Sequence, residues 1–408
     1  MPVELLSPAG NLEKLKFAAL FGADAVYFSY KNFGLRSNAE NFTIDEIDEG
    51  LSFLHSINKK GYITLNIFAH NNDVDAIKQI IYRLSDLKPD AFIVSDPGLV
   101  YLIKKSGITI PLHLSTQANT TNFYAVKFWE SLGISRIVLA RELTLEEIAY
   151  ICKNTNVEIE VFVHGAMCIS YSGRCYLSHY LNNRDANKGD CTHPCRWKYY
   201  LVEETRKDEL FEICEDESGS YILNSRDLCL IEHLGNLVAA GVHAFKIEGR
   251  VKSLFYTSIV TGVYKKVLNR IKVEGFERFK VDKKWLNMLD MVSNRGYTNG
   301  FINGYGGNED SINRMSSRYN RKADFLGYFN NSEDGDSRYI LYSRAKASTG
   351  EILNIYNPSL DEREILLDSV YDLKGNRIDS TKPNEAYIVK HNISIENYSL
   401  LARLENDL

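Results

Sequence analysis

Four of the chain's seven cysteines fall in one short stretch, with the spacing Cys168-x6-Cys175-x15-Cys191-x3-Cys195. Four thiolates so close in sequence are typical of a metal site. A structural zinc site usually has two cysteine pairs, each separated by about two to four residues, and only the last pair here fits. Iron–sulfur clusters tolerate wider spacing. The spacing therefore predicts a metal centre, leaves zinc and iron–sulfur open, and admits Cys214 or Cys229 as a substitute ligand.

Two other uses of these cysteines are a disulfide and a catalytic nucleophile. The N-terminus MPVELLSPAGN has no basic region followed by an apolar run, so we predict no signal peptide and a cytoplasmic protein. Thiols stay reduced in that compartment, which disfavours disulfides. A cysteine peptidase needs a thiolate and a histidine base, which Cys168 and His164 could supply. That use leaves the other cysteines unexplained, and the chain has neither an HExxH helix nor a GxSxG turn.

The elements that must position these residues are visible in the hydrophobic pattern of the first 270 residues. Short β-branched apolar runs alternate with stretches of helical periodicity, from VELLSPAG and NLEKLKFAALFG to AFKIEGR and LFYTSIVTGVYKKVLNRI. Eight such units predict an α/β fold, a TIM-like (β/α)8 barrel. An open doubly wound sheet is the alternative, but no GxGxxG follows the first predicted strand.

The same pattern suggests how the 408 residues divide. We expect the barrel to span residues 1–285, with an insertion at about 168–225, after the seventh strand, that contains the cysteine cluster. Residues 286–320, rich in Gly, Asn and Ser, predict a linker, and the short alternating runs of residues 321–408 predict a small all-β, barrel-like domain. No apolar run approaches the roughly 20 residues that span a bilayer, so no membrane role is expected.

Chemistry in such barrels lies at the carboxyl ends of the strands. The polar residues predicted there form a ring with arginines, a lysine and amides, which suits a small anionic substrate such as a carboxylate. From this ring we predict catalytic or substrate-binding roles for Asn66, Gln117, Arg141, His164, Lys246, Glu248 and Arg250. Two neighbours, Asn11 and Asp96, are expected only to cap helices.

The net charge of −5 argues against a uniformly basic nucleic-acid-binding protein, but the charge is uneven. Residues 246–285 contain eleven Lys/Arg against four Asp/Glu. This basic stripe could meet phosphates, and the alternative is a solvated helix face.

The longest motif around the cysteines is Glu160-x-Phe162-x-x-Gly165-Ala166-Met167-Cys168-x4-Gly173-x-Cys175-x-Leu177-Ser178. It resembles the signature of the peptidase U32 family, and ELLSPAGNLEKLKFAALFGADAVYFS, LHLSTQANTTN, FKIEGRVKS, RDANKGDCTHPCRW and RGYTNGF resemble other parts of that family. The resemblance covers most of the chain. It is strongest to the branch that hydroxylates tRNA without oxygen, in which prephenate supplies the hydroxyl group of 5-hydroxyuridine at the wobble position. Other relatives act on ubiquinone precursors.

The resemblance implies a [4Fe–4S] cluster on Cys168, Cys175, Cys191 and Cys195, and it favours that cofactor over zinc. It also implies a tRNA partner and a small carboxylate co-substrate. Arg36, Arg141, Lys246 and Arg250 are then candidates to bind the carboxylate, and Glu160 joins the catalytic candidates. The stripe at 265–284, beginning with Lys265 and Lys266 and interleaved with aromatic residues, would bind tRNA. The alternatives are a U32-type, collagenase-like peptidase and a tRNA-binding protein without catalysis.

Overall fold

The computed structural model describes residues 3–31, 40–168, 170–196, 215–216, 219–220, 225–305, 319–331 and 337–405. From the N-terminus the first strands are β1 (Glu4–Pro8), β2 (Ala25–Ser29), β3 (Lys60–Leu65), β4 (Ala91–Val94), β5 (Leu112–Leu114), β6 (Arg136–Val138), β7 (Glu158–Ala166), β8 (Glu215–Asp216), β9 (Gly219–Ser220), β10 (Asp227–Cys229), β11 (Ala244–Ile247) and β12 (Tyr297–Thr298). Strands β1 to β7 pair in parallel, each with the next, and β11 pairs in parallel with both β7 and β1. The predicted eight-stranded TIM-like barrel is confirmed.

Helices cover the outside of this barrel, except α7, which lies in the insertion. The helices are α1 (Leu12–Leu20), α2 (Ile44–Ser56), α3 (Asn71–Asp86), α4 (Pro97–Lys105), α5 (Phe123–Ser131), α6 (Leu145–Asn154), α7 (Leu177–Asn182), α8 (Leu234–Ala239), α9 (Leu254–Glu274) and α10 (Lys283–Met291). Asn11 and Asp96 accept backbone hydrogen bonds from Lys14 and Leu99 at 2.9 and 3.0 Å, which confirms both predicted N-caps. The side chains between strands and helices form one continuous apolar core.

Strand β7 extends beyond its barrel neighbours and binds a second partner. Its first half pairs with β11, whereas His164, Gly165 and Ala166 pair antiparallel with β10, and β12 pairs with β10. The chain therefore leaves β7 at Ala166 and returns at Asp227, directly opposite. The cysteine-bearing insertion begins and ends at this point of the barrel rim.

Several residues of the predicted linker have buried side chains. The predicted division at 285 falls inside α10, and Met288 and Leu289 are buried in the barrel core. Arg295 is also buried and pairs with Asp227 at 2.5 Å. Residues 306–318 lie outside the described residues. The described part of this interval thus packs against the barrel.

The C-terminal strands form a separate antiparallel sheet, which confirms the predicted small all-β domain. They are β13 (Ala323–Asn331), β14 (Arg338–Ser343), β15 (Glu351–Tyr356), β16 (Glu362–Leu367), β17 (Val370–Tyr371), β18 (Ala386–Lys390) and β19 (Leu400–Leu404), in the order β16-β15-β19-β13-β14-β18-β17. The sheet has its own apolar core. It packs on α1 and α9, where the Phe17 ring lies 4.9 Å from Tyr328 and Phe255 stacks on Phe325 at 5.3 Å.

Among the residues that the structure describes, no helix has the length and apolarity needed to cross a bilayer.

Candidate functional site

A cavity of about 450 Å³ opens among the carboxyl ends of the barrel strands. It brings together six residues of the predicted polar ring: Asn66, Gln117, Arg141, Lys246, Glu248 and Arg250. Sequence reasoning missed other lining residues, among them Tyr27, Thr64 and Phe162. These three lie within β2, β3 and β7, where alternate side chains point into the barrel, so strand parity was the signal that could have found them.

Two arginines place donors in this cavity. The Arg141 guanidinium lies 4.0 Å from the centre of the Phe162 ring, and its Nη1 donates to the Ala166 carbonyl at 2.8 Å. Its Nε is buried and has no hydrogen-bond partner within the described residues. Arg250 Nη1 donates to Thr64 Oγ1 at 2.8 Å. A buried donor without a partner costs free energy, so a carboxylate or other anion that accepts from Arg141 would stabilise this arrangement.

The third cation of the cavity, Lys246, is held in place by a buried ion network inside the barrel. Its Nζ lies 2.8 Å from Glu160 Oε1 and 4.6 Å from the centre of the Tyr27 ring. Glu160 also accepts from Arg136 Nη1 at 3.3 Å, and Arg136 pairs with Glu4 at 2.5 Å. Glu160 is fully buried and is not among the cavity-lining residues. The structure thus places this predicted catalytic residue as the counter-ion that positions Lys246, because an unpaired charge at this depth would be costly.

A second cavity, of about 880 Å³, adjoins the first and is lined by all four cysteines of the predicted cluster. The two cavities share Thr116, Gln117 and Arg141. Arg141 therefore stands in the wall between the cysteines and the cationic cavity. Most of the residues that line the second cavity belong to residues 168–196, called the cysteine segment below.

Barrel residues that the site prediction did not include hold the first half of the cysteine segment. Glu142, a buried carboxylate, accepts from the Ser172 backbone N–H at 2.7 Å. The Ser172 hydroxyl donates to Asn119 Oδ1 at 2.7 Å, and Ser172 itself has a positive φ of 50°. Arg174 Nε donates to the Gln117 carbonyl at 2.7 Å. Both Glu142 and Asn119 belong to the polar ring read from the predicted strand ends, although neither was given a catalytic or binding role.

Hydrogen bonds also orient two of the thiols. The backbone N–H groups of Leu177 and His193 donate to the sulfurs of Cys175 and Cys191, each at 3.4 Å. Asn187 holds the backbone of Cys175 through bonds of 3.3 and 3.1 Å. N–H donors aimed at cysteine sulfurs stabilise the thiolate form, which is the form that binds metals.

The donor set of this cavity is four cysteine thiols, the ligand type of both iron–sulfur clusters and structural zinc. Within the described ranges, no three Cys, His, Asp or Glu side chains converge closely enough to hold a metal ion.

The other cysteines lie elsewhere. Cys229 is buried in β10 with its sulfur 3.8 Å from the Tyr264 hydroxyl, and burial raises the pKa of its thiol to about 11. Cys214 lies outside the described residues. Cys152 is half-buried in α6, where burial raises the pKa of its thiol to about 12. Of the two predicted substitutes, Cys229 is therefore not positioned as a ligand.

His164 lies away from both cavities. Its ring packs among three tyrosines, with centroid distances of 5.9, 5.3 and 5.4 Å to Tyr256, Tyr264 and Tyr297. Its Nδ1 is 3.2 Å from the Tyr264 hydroxyl. Burial lowers the pKa of His164 to about 3, while Asp227 and Lys252 act on it in opposite directions. A neutral, enclosed imidazole cannot reach a substrate in either cavity, so the structure gives His164 a packing role in place of the predicted catalytic one.

This environment predicts a pH-dependent stability. His164 takes up a proton near pH 6.5 in the unfolded chain but only near pH 3 in the folded chain. The contribution of neutral His164 to the free energy of unfolding is therefore complete above pH 6.5 and is lost as the pH falls towards 3. The His164→Phe variant keeps a ring but cannot titrate. When the pH is lowered from 7 to 5.5, we expect the free energy of unfolding of the wild type to fall by about 1 kcal/mol more than that of this variant. Urea denaturation at both pH values measures this. Equal losses in both proteins would contradict the assignment.

The structure separates the predicted tRNA-binding lysines from the site. Lys265 Nζ lies 2.6 Å from Asp24, which precedes β2 and so lies at the opposite end of the barrel. Lys266 is 3.6 Å from Asp361 of the C-terminal domain. Phe255, Tyr256 and Tyr264, which precede the stripe on α9, are buried in the core and cannot stack on bases, whereas Phe276 within the stripe is exposed. Arg36, predicted to bind substrate, lies outside the described residues.

Comparison with known proteins identifies the family of the chain. The sequence model of peptidase family U32 matches residues 10–312, and that of the U32 C-terminal domain matches residues 321–402. The chain belongs to peptidase family U32. Both cavities lie within the first match, and the antiparallel sheet corresponds to the second.

Relatives in this family have different names. The chain is 38% identical to tRNA hydroxylation protein P1 of Bacillus subtilis, over 93% of this chain and 89% of that protein. It is 34% identical to tRNA hydroxylation protein P of Escherichia coli, over 98% and 96%. It is also 32% identical to a protein of Porphyromonas gingivalis named collagenase, over 74% and 73%.

Proposed function

We propose that this U32 protein is a tRNA-modifying enzyme that hydroxylates a wobble uridine to 5-hydroxyuridine without oxygen. The observation behind this proposal is the shared wall of the two cavities. One cavity offers four thiols and the other offers cations, and Arg141, Gln117 and Thr116 stand between them. The full-length similarity to two tRNA hydroxylation proteins supports tRNA as the substrate. Such a substrate is consistent with the cytoplasmic location expected from the sequence.

The cofactor that we propose is a [4Fe–4S] cluster on Cys168, Cys175, Cys191 and Cys195. The four thiols line one cavity, and two of them accept backbone N–H bonds. When bound, a cluster supplies one-electron transfer, which neither zinc nor the side chains of this site can supply. The chain's own part is to hold the cysteine segment against the barrel through Glu142 and Asn119 and to fix the backbone of Cys175 through Asn187.

The co-substrate that we propose is a small carboxylate, with prephenate as the hydroxyl donor. Arg141 offers a buried Nε, and Lys246 and Arg250 line the same cavity. Planar guanidinium groups suit bidentate carboxylate binding. The ion network of Glu160, Arg136 and Glu4 fixes Lys246 in place before the anion arrives, which reduces the entropy cost of binding.

The alternative is proteolysis, which the family name and the collagenase relative suggest. A cysteine peptidase needs a base within hydrogen-bond reach of its nucleophile. His164 is enclosed by tyrosines on the far side of β7, and its lowered pKa makes it a weak base. The geometry therefore favours hydroxylation over peptide hydrolysis.

One experiment separates these functions. Nucleosides from the tRNA of cells with and without this gene are compared by mass spectrometry. We expect 5-hydroxyuridine and its derivatives to disappear from the deletion strain and to return with the wild-type gene. An unchanged nucleoside profile, together with cleavage of a protein substrate by the purified chain, would contradict the proposal and support the peptidase.

A further inference from the structure

The surface of the cysteine segment displays three exposed tyrosines. Tyr171, Tyr176 and Tyr180 expose 54%, 66% and 76% of their surface, respectively. Tyrosines of globular proteins are usually at least half buried, because the ring is largely apolar. Three exposed rings within ten residues therefore mark a candidate contact surface.

These tyrosines lie on the outer side of the structure that encloses the thiols. Tyr176 and Tyr180 are four positions apart at the start of α7 and on it, so they lie on the same helix face. Leu177, between them, lines the cysteine cavity. Tyr171 stands between Ser170 and Ser172, which line the same cavity. Each exposed ring is thus within a few residues of a cavity wall.

The electrostatics of the segment are compatible with RNA. Residues 168–196 contain four Lys/Arg and two Asp, whereas the whole chain has a net charge of −5. Within the segment Asp190 pairs with Arg184, and Lys188 pairs with Asp73 of α3, so two of the four cations have anionic partners. Lys265, at the start of the basic stripe at 265–284, lies at the end of the barrel opposite these cavities.

Exposed aromatic rings beside a positively charged segment are the usual means of binding unpaired bases. Stacking tolerates any base because every base has a flat aromatic face, and it requires bases that are not already paired. A paired duplex would offer only its backbone to these rings.

We propose that Tyr171, Tyr176 and Tyr180 stack on unpaired bases of the RNA and guide its loop to the cysteine cavity. This inference rests on the proposed function for the identity of the substrate. It adds the surface that holds the RNA, on the cysteine segment itself and not on the basic stripe.

The test measures binding directly, without the reaction. The probes are a fluorescent RNA hairpin with a seven-nucleotide loop and a fully paired RNA duplex of the same length, both followed by anisotropy with the full chain. We expect each of Tyr176→Ala and Tyr180→Ala to weaken hairpin binding about ten-fold. Tyr176→Phe and Tyr180→Phe, which keep the ring, should bind the hairpin within about two-fold of wild type. Duplex binding should not change in any variant.

Tyr101→Ala and Tyr124→Ala provide matched controls, because these tyrosines are equally exposed on α4 and α5. Unchanged iron content shows that a variant retains its folded cysteine segment. Unchanged hairpin binding in the Tyr176→Ala and Tyr180→Ala variants would overturn the inference. A hairpin-specific loss in a protein that leaves tRNA unmodified would uphold this inference and refute the proposed function.

Discussion

Replacing any one of Cys168, Cys175, Cys191 and Cys195 with alanine is expected to remove most of the bound iron and abolish tRNA hydroxylation. The four thiols surround a single cavity, so removal of one leaves an incomplete ligand set for a cluster. The effect should be larger than that of any other substitution in the chain. Anaerobically purified wild type should be brown and contain iron and acid-labile sulfide, and the four variants should be nearly colourless.

Cys152→Ala is the matched control for this series. Cys152 lies in α6, half-buried and away from the cysteine cavity, so its removal should leave iron content and hydroxylation close to wild type. A colourless wild type that holds one zinc ion per chain would refute the cluster. An equal loss of iron in the Cys152→Ala variant would show that the cavity thiols are not its specific ligands.

Replacing Arg141 with alanine is expected to lower kcat/KM for the carboxylate donor by about 10- to 100-fold, mainly through a higher KM. Arg141 is the cation that stands between the two cavities, and its buried Nε has no hydrogen-bond partner among the described residues. Arg141→Lys should recover only part of the activity, because an ammonium group cannot reproduce the planar fork or its stacking on Phe162. Initial rates of 5-hydroxyuridine formation against prephenate concentration measure both effects.

Arg83→Ala controls for the loss of a positive charge, since Arg83 is exposed on α3. It should leave the KM for prephenate unchanged. Iron content must be compared in every variant, because Arg141 also lines the cysteine cavity. If Arg141→Ala kept its iron and its KM for prephenate, the donor would bind elsewhere.

The architecture could be predicted from sequence because its signals are local. Short β-branched runs followed by amphipathic stretches occur eight times, and each became a strand and helix of the barrel. Capping signals were equally local, as Asn11 and Asp96 show. The pairing of β10 with β7 had no such signal, because three residues, Asp227–Cys229, are too few to show a period.

The site could be predicted only in part because strand ends do not reveal the direction of a side chain. Arg141, Lys246 and Arg250 do line one cavity. His164 follows the same strand-end pattern, but its side chain points to α9 because the pleat of β7 alternates. Glu160 lies inside the barrel as the partner of Lys246 and Arg136, a long-range arrangement that no sequence period encodes. Lys265 lies in a basic run on α9, and the direction of α9 places it at the end of the barrel opposite the cavities. The sequence pattern did not reveal that position.

The antiparallel pairing of β10 with the end of β7 has a consequence for how this family can vary. Ala166 and Asp227 face each other across one ladder, so the chain between them departs from and returns to the same spot on the barrel. The closure entropy of such an excursion rises only slowly with its length. Its length and sequence can therefore change through insertion, deletion or exchange between relatives without strain on the eight barrel strands. The barrel stays constant, and the cysteine-bearing insertion can be exchanged. One fold can in this way acquire different substrates.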